Sequence, residues 1–375
     1  MSLSTTRVAI VGGGLSGLYA AYLLEQQGIQ DYVLLEARPM LGGRIQSVAP
    51  VAPRAPRSGA AQGERFDLGP SWYWPGYQRQ MDRLIDELGL KRVEQFEAGD
   101  MLIERSANGP LMRSPGYHSS PPSMRLQGGM AALVDALRER LDPAGVITGQ
   151  RVSRLRRLDQ HVELMCIDSL DRSTQWRAEQ VLLALPPRLA ESTIAFTPAL
   201  PQSVAQQWQA TATWMAPHAK YVAIYDRPFW REQGLSGAAR SMRGPLGEIH
   251  DASIPGGSAA LFGFLGMSAS MRQTLGEEQL RLLCRAQLER LLGPQAAAPV
   301  AEFFRDWAQE PLTATHADLH GTLQHMPPPM PAPEAGPWAG YLMGIGSEWS
   351  AQFPGYLAGA IEAASVGVQA LVLDT

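Results

Sequence analysis

Gly12, Gly14 and Gly17 stand in the order G-x-G-x-x-G, directly after the apolar run Arg7–Val11. The first glycine of such a set permits a tight turn, and the second lets the backbone approach a pyrophosphate. The third lets the following helix pack close to its strand. The helix start at Leu15 and Ser16 then offers free N–H groups and a partial positive charge to phosphates, and Ser16 adds a hydroxyl donor. Glu36 closes the next apolar run, about twenty residues on, where a carboxylate accepts hydrogen bonds from ribose hydroxyls. This spacing points to a dinucleotide without saying which one.

Lys220 is the second residue with chemistry to explain. Of 32 basic residues only Lys91 and Lys220 are lysines. Within Ala219–Tyr225, Lys220, Val222 and Ile224 alternate onto one face of a strand, which puts an ammonium among apolar neighbours. A buried ammonium is costly unless it is paired or functional, and desolvation lowers its pKa. The alternative is an exposed edge-strand lysine that discourages aggregation. Other candidates carry less. His316, His320 and His325 lack a third-ligand pattern, so no metal is expected. Two cysteines, Cys166 and Cys284, far apart in sequence, are too few for a disulfide framework and suit a reducing compartment. Arg151, Arg154, Arg156 and Arg157 read as the solvated side of a strand.

These groups need elements to hold them. Strand, glycine turn, helix over Leu15–Gln27 and strand over Tyr32–Leu35 make a βαβ unit with parallel pairing. Helices are expected over Tyr77–Leu88, Met130–Leu141, Glu277–Leu292 and Gly355–Val372. Strands are expected over Gly145–Ile147, Val162–Ile167, Gln180–Ala184 and Ala219–Tyr225, while the Pro-, Ala- and Gly-rich stretch Ala49–Gly63 reads as a mobile surface loop. A length of 375 residues suggests two domains, and 45% hydrophobic with 18% charged residues is a globular composition. The net charge of −4 gives no reason to expect nucleic acid or an anionic membrane as partner. No run of about eighteen apolar residues suggests a membrane span, and no leader pattern precedes the first strand, so a cytoplasmic protein is expected.

Beyond Glu36 the chain reads Glu36-Ala37-Arg38-Pro39-Met40-Leu41-Gly42-Gly43-Arg44. With this segment it resembles the flavin-containing amine oxidase superfamily, which includes porphyrinogen- and carotenoid-oxidising relatives. The resemblance runs through Phe66-Asp67-Leu68-Gly69-Pro70 with Ser71 and Trp72 after it, Leu126-Gln127-Gly128-Gly129-Met130, and Val152 after Arg151. It continues through Val181–Pro187 with Ala184, Gly346-Ser347-Glu348, and Phe353-Pro354-Gly355-Tyr356-Leu357-Ala358-Gly359-Ala360. It implies an α/β fold: a Rossmann-type FAD/NAD(P)-binding domain over 1–75, 125–200 and 310–375, and a mixed-sheet (α+β) substrate domain over 76–124 and 201–309.

The resemblance also implies FAD. Gly42, Gly43, Arg44 and the Leu68–Trp72 segment would lie on its phosphates and flavin, Val152 on its adenine, and Ser347, Glu348 and Pro354–Leu357 on its ribityl and pyrimidine parts. No cysteine occupies the family's flavin-linking position, where His316 stands, so the FAD is expected to be non-covalent. Lys220 would hold a water near flavin N5, and Tyr356 would form one wall of an aromatic cage for an amine. The position of the second wall falls on Ala317, so Trp72, Tyr73 or Trp74 would have to replace it. The activity implied is hydride transfer from the α-carbon of a primary or secondary amine to flavin, with dioxygen or another acceptor taking the electrons. Desaturation of a C–C bond, or flavin binding without oxidase activity, are the alternatives.

Overall fold

The computed structural model describes residues 3–50, 63–106, 108–320 and 327–371. Nearly all of the 49–63 loop, and His325, lie outside them. The chain forms two compact units. One comprises Met1–Ile45, Leu133–Ala216 and Glu310–Thr375, and the other Gln46–Ala132 and Pro217–Gln309.

The first unit is built on an 8-stranded sheet. Its centre is the strand Leu3–Val11, parallel both to Tyr32–Leu35 and to Ser173–Leu183. Where they adjoin, Val8–Val11, Tyr32–Leu35 and Val181–Leu183 are continuous apolar runs because both faces are covered. The first helix, Leu15–Gln26, buries Leu18, Ala21, Tyr22 and Leu24. It ends at Gly28, whose φ of 77° suits a residue without a side chain. The strand expected over Gln180–Ala184 begins much earlier, at Ser173. Its polar first half pairs antiparallel with Val162–Ile167, which itself pairs with Arg151–Arg157. Only the last residues are buried on both sides, so apolarity alone marks just that end. The last helix, Leu357–Gln369, is rich in small residues and largely buried.

The second unit carries a 7-stranded sheet in the order Ala301–Asp306, Ala219–Tyr225, Ala259–Leu265, Leu246–Asp251, Leu235–Ser241, Asp100–Glu104, Met112–Pro115. All pairings are antiparallel except Leu235–Ser241 with Asp100–Glu104. The helix Glu277–Leu292 covers one face through Leu280, Cys284, Leu288 and Leu291. The other face presents Val222, Ile224, Ala260 and Phe262, against which Phe66 and Leu68 pack. Lys220 belongs to this second face, paired across the ladder with Phe264 and Arg305. The short pair Ser47–Val48 and Phe66–Asp67 joins this unit, although the sequence places it beside the dinucleotide motif. Among the described residues no helix is long and apolar enough to cross a membrane.

Candidate active site

The glycine turn is shaped by backbone contacts. Gly12 has φ 110°, and a Cβ there would lie 2.6 Å from the Ala184 carbonyl oxygen. At Gly17 it would lie 2.0 Å from the Gly12 oxygen. Both are closer than any side chain tolerates, so strand, turn and helix pack through glycine alone. Gly14 forms a bridge to Gly42 and stands as N-cap of the first helix with no side-chain cap, leaving the helix N-terminus open. The Gly13 N–H donates to Glu36 Oε2 (2.6 Å), and the Arg38 N–H to Oε1 (2.8 Å). Each oxygen keeps a further lone pair for a ribose hydroxyl. Val152 follows the stretch whose Gly149 and Gln150 N–H groups donate to the Arg38 and Glu36 carbonyls (both 2.8 Å). An uncapped helix start, a glycine cradle and a half-used carboxylate together fit a dinucleotide.

The same unit holds the C-terminal segments. Arg44 grips Glu348 with two hydrogen bonds (2.5 and 3.0 Å) and also reaches Ser347 Oγ at 3.1 Å. Burial pushes the Glu348 carboxyl up, but the Arg44 guanidinium outweighs it and holds the pKa below the usual range. Gly355 has φ 82°, and Tyr356 is the N-cap of the last helix, again with no side-chain cap. A second helix N-terminus is therefore open, framed by Pro354, Gly355 and Leu357.

Trp214, not singled out by sequence, stands beside Tyr356. The two rings lie 6.4 Å apart at 36°. A Cβ on Gly355 would lie 2.5 Å from the Trp214 Cβ, so that glycine is what admits the indole. The turn bearing Trp214 is clamped: its N–H donates to Glu348 Oε1 (3.3 Å), and its carbonyl accepts from Arg44 (3.3 Å). The Thr213 N–H donates to the enclosed Asp318 (3.0 Å), which also pairs with Arg188 at 2.5 Å. Met215, next in the chain, has φ 62°, a left-handed conformation that costs on the order of 1 kcal/mol and needs such clamping. Ala317 and His316 are exposed on the short helical turn His316–His320.

In the second unit Lys220 is 1% exposed. Its ammonium donates to Ser71 Oγ (2.6 Å) and the Gly69 carbonyl (3.1 Å), and lies 4.0 Å from the centre of the Phe262 ring. Burial drives its pKa down, against the pull of Asp67, to about 7. The segment Leu68–Trp72 thus meets Lys220 through Gly69 and Ser71, while the Leu68 carbonyl accepts from Trp307 Nε1 at 3.0 Å. The rings offered for the second wall are engaged within this unit. Tyr73 is fully buried, Trp74 donates to Ser123 (2.8 Å), and Trp72 donates to Gln95 (2.8 Å) while its edge meets His250. Among the described residues no group of three His, Cys, Asp or Glu side chains could hold a metal.

A family model described as flavin containing amine oxidoreductase matches residues 107–371, and one described as NAD(P)-binding Rossmann-like domain matches residues 10–88. The chain is 24% identical to a probable flavin-containing monoamine oxidase A of Dictyostelium discoideum, over 95% of each chain. Among solved structures, wild-type putrescine oxidase bound to putrescine superposes with a TM-score of 0.77 at 20% identity, covering 98% of this chain and 99% of that one. Cyclohexylamine oxidase from Brevibacterium oxydans superposes with a TM-score of 0.76 at 21% identity, covering 97% and 98%. At these identities the structural likeness speaks for the fold.

Proposed function

The chain belongs to the flavin containing amine oxidoreductase family, and from that premise we propose that it oxidises a primary or secondary amine using non-covalently bound FAD. When bound, the flavin would supply the redox chemistry, as acceptor for a hydride from the amine's α-carbon with dioxygen as the terminal acceptor. The protein's part is orientation and a dry pocket. The open helix start at Gly14, with Glu36, holds the adenosine diphosphate end. Val152 would lie against the adenine, and Arg44, Ser347, Glu348 and the 354–357 turn would hold the ribityl and pyrimidine end. A helix N-terminus there stabilises the negative charge of reduced flavin.

Lys220 carries the reading. It is a buried lysine with no salt bridge among the described residues, bonded to a hydroxyl and a carbonyl, with a pKa brought down to about 7. Such a group holds a water and exchanges a proton near neutrality, which suits an amine that must react in its neutral form. Tyr356 and Trp214 form the aromatic surface for the substrate, which answers the small residue at Ala317.

The test is anaerobic reduction of the yellow holoprotein with panels of amines, amino acids and polycyclic hydrocarbons, following the flavin band. Bleaching by amines is expected. Bleaching by the hydrocarbons alone would remove the amine reading, and bleaching by nothing would favour a flavin-binding protein without oxidase activity.

A further inference from the structure

Ser71 has a second neighbour besides Lys220. It lines a cavity of about 30 Å³ together with Asp67, Arg125, Arg65, Ser253 and Phe262. That is room for about two waters, and the walls are polar enough to hold them. Asp67 takes its two hydrogen bonds, from Ser47 Oγ (2.5 Å) and the Met130 N–H (2.8 Å), at Oδ1, which leaves Oδ2 available to the cavity. Arg125 reaches the Ser253 carbonyl (2.6 Å) through one terminal nitrogen, while its buried Nε has no partner. Ser71 Oγ thus stands between the Lys220 ammonium, 2.6 Å away, and a cavity that the Asp67 carboxylate also lines.

We propose that Asp67 and Lys220 form a proton-sharing pair, joined through the Ser71 hydroxyl and water in this cavity. One proton leaves Lys220 Nζ for Ser71 Oγ as the Ser71 proton passes through water to Asp67 Oδ2. The ammonium and carboxylate become an amine and a carboxylic acid, with no net change of charge. Two buried charges are exchanged for two neutral groups, which a low-dielectric interior favours. The directions agree: burial raises the Asp67 carboxyl and lowers the Lys220 ammonium, bringing two normally distant groups toward each other. Arg125 and Arg65 face the pair across the cavity. On the sheet, Arg305 stands beside Lys220, with His218 and His250 on neighbouring positions. The Arg125 guanidinium lowers the proton affinity of both Lys220 and Asp67. The inference deepens the amine-oxidase reading and rests on it for its role: the pair resets Lys220 between turnovers without a proton from bulk solvent.

Because the chain has only two lysines, Lys91 and Lys220, the test is direct. Holoprotein labelled with ¹³Cε-lysine gives two signals, and the exposed Lys91 is the internal reference. Without any substrate, the Lys220 signal is expected to titrate with two inflections, its own near pH 7 and a second from Asp67. Asp67→Asn should remove one inflection and move the other down by about one pH unit. Ser47→Ala, which deletes a hydrogen bond to Asp67 but no charge, should leave both. A single inflection in the wild type, or equal shifts in the two variants, would overturn the pair. With amines as reductant, Ser71→Ala should slow flavin reduction severalfold below neutral pH, with Ser71→Thr restoring it; equal loss in both would also count against the relay. Bleaching by amines without coupled titration removes the pair and keeps the oxidase; coupled titration without bleaching does the reverse.

Discussion

Lys220 and Trp214 are the residues whose surroundings have measurable consequences. The Lys220 pKa is about 7 in the folded chain against 10.5 for a free lysine, mainly through burial. The folded state thus resists protonation, and the unfolded chain binds the extra proton between those values. The destabilisation is full below pH about 7 and is relieved as pH rises toward 10.5. Lys220→Met should therefore be more stable than the wild type in mildly acidic buffer, by up to about 5 kcal/mol at ~1.4 kcal/mol per pKa unit. The gap should shrink as pH rises, seen as converging urea midpoints. The same variant should keep its flavin colour but be reduced or reoxidised more slowly; loss of colour would mean that Lys220 is misassigned. Trp214→Ala should raise KM for amines about tenfold, the equivalent of ~1.4 kcal/mol of ring contact, while Trp214→Phe keeps most of the affinity. Steady-state kinetics with a fixed amine decides this, and an unchanged KM would place Trp214 outside the substrate surface.

Leu15–Gln26 and Leu357–Gln369 are among the helices that begin without a side-chain cap, and these two follow glycine-dependent turns. A helix that leaves its first N–H groups unpaired loses on the order of 1 kcal/mol unless something else accepts from them. The proposed acceptors are the FAD phosphates and the flavin ring. Gly12→Ala puts a methyl 2.6 Å from a backbone oxygen at φ 110°, so the turn must open. The expected result is a protein with near-normal circular dichroism that purifies colourless. A yellow Gly12→Ala protein would show that the pyrophosphate does not depend on this turn.

The molecule as a whole divides into a unit with a largely parallel sheet and a unit with a largely antiparallel one, each with its own buried core. All the groups proposed for the phosphate and ribose end lie in the first, so flavin binding should be felt there most. Stripping the flavin is expected to lower Tm. At flavin about 100-fold above Kd the lost stabilisation is about 2.7 kcal/mol. Hydrogen exchange should show the loosening concentrated at the 12–17 turn and the 347–357 segment. If protection falls equally throughout the second unit, the assignment of the binding groups is wrong.

The dinucleotide turn, the first helix and the Ala219–Tyr225 strand were legible in the sequence because each is fixed by neighbours within a few residues: glycine spacing, helical periodicity, strict alternation. The resemblance of the later segments carried the cofactor. Much of the second unit's sheet was not legible. Leu235–Ser241, Leu246–Asp251 and Ala259–Leu265 mix glycine, polar and apolar residues, and only pairing with distant strands shows which face is buried. Trp214 was passed over for a similar reason. It sits in a short irregular stretch with no periodicity, and its place beside Tyr356 comes from contacts with Glu348, Arg44 and Gly355, more than a hundred residues away. Asp67 likewise read as part of a flavin-side motif, and only the folded chain brings it to the cavity that Ser71 shares with it. Local chemistry pointed to a dinucleotide and to a lysine on an apolar strand face. Which groups surround that lysine, and which ring stands beside Tyr356, are set by long-range packing, because burial and electrostatics depend on neighbours that sequence distance does not reveal.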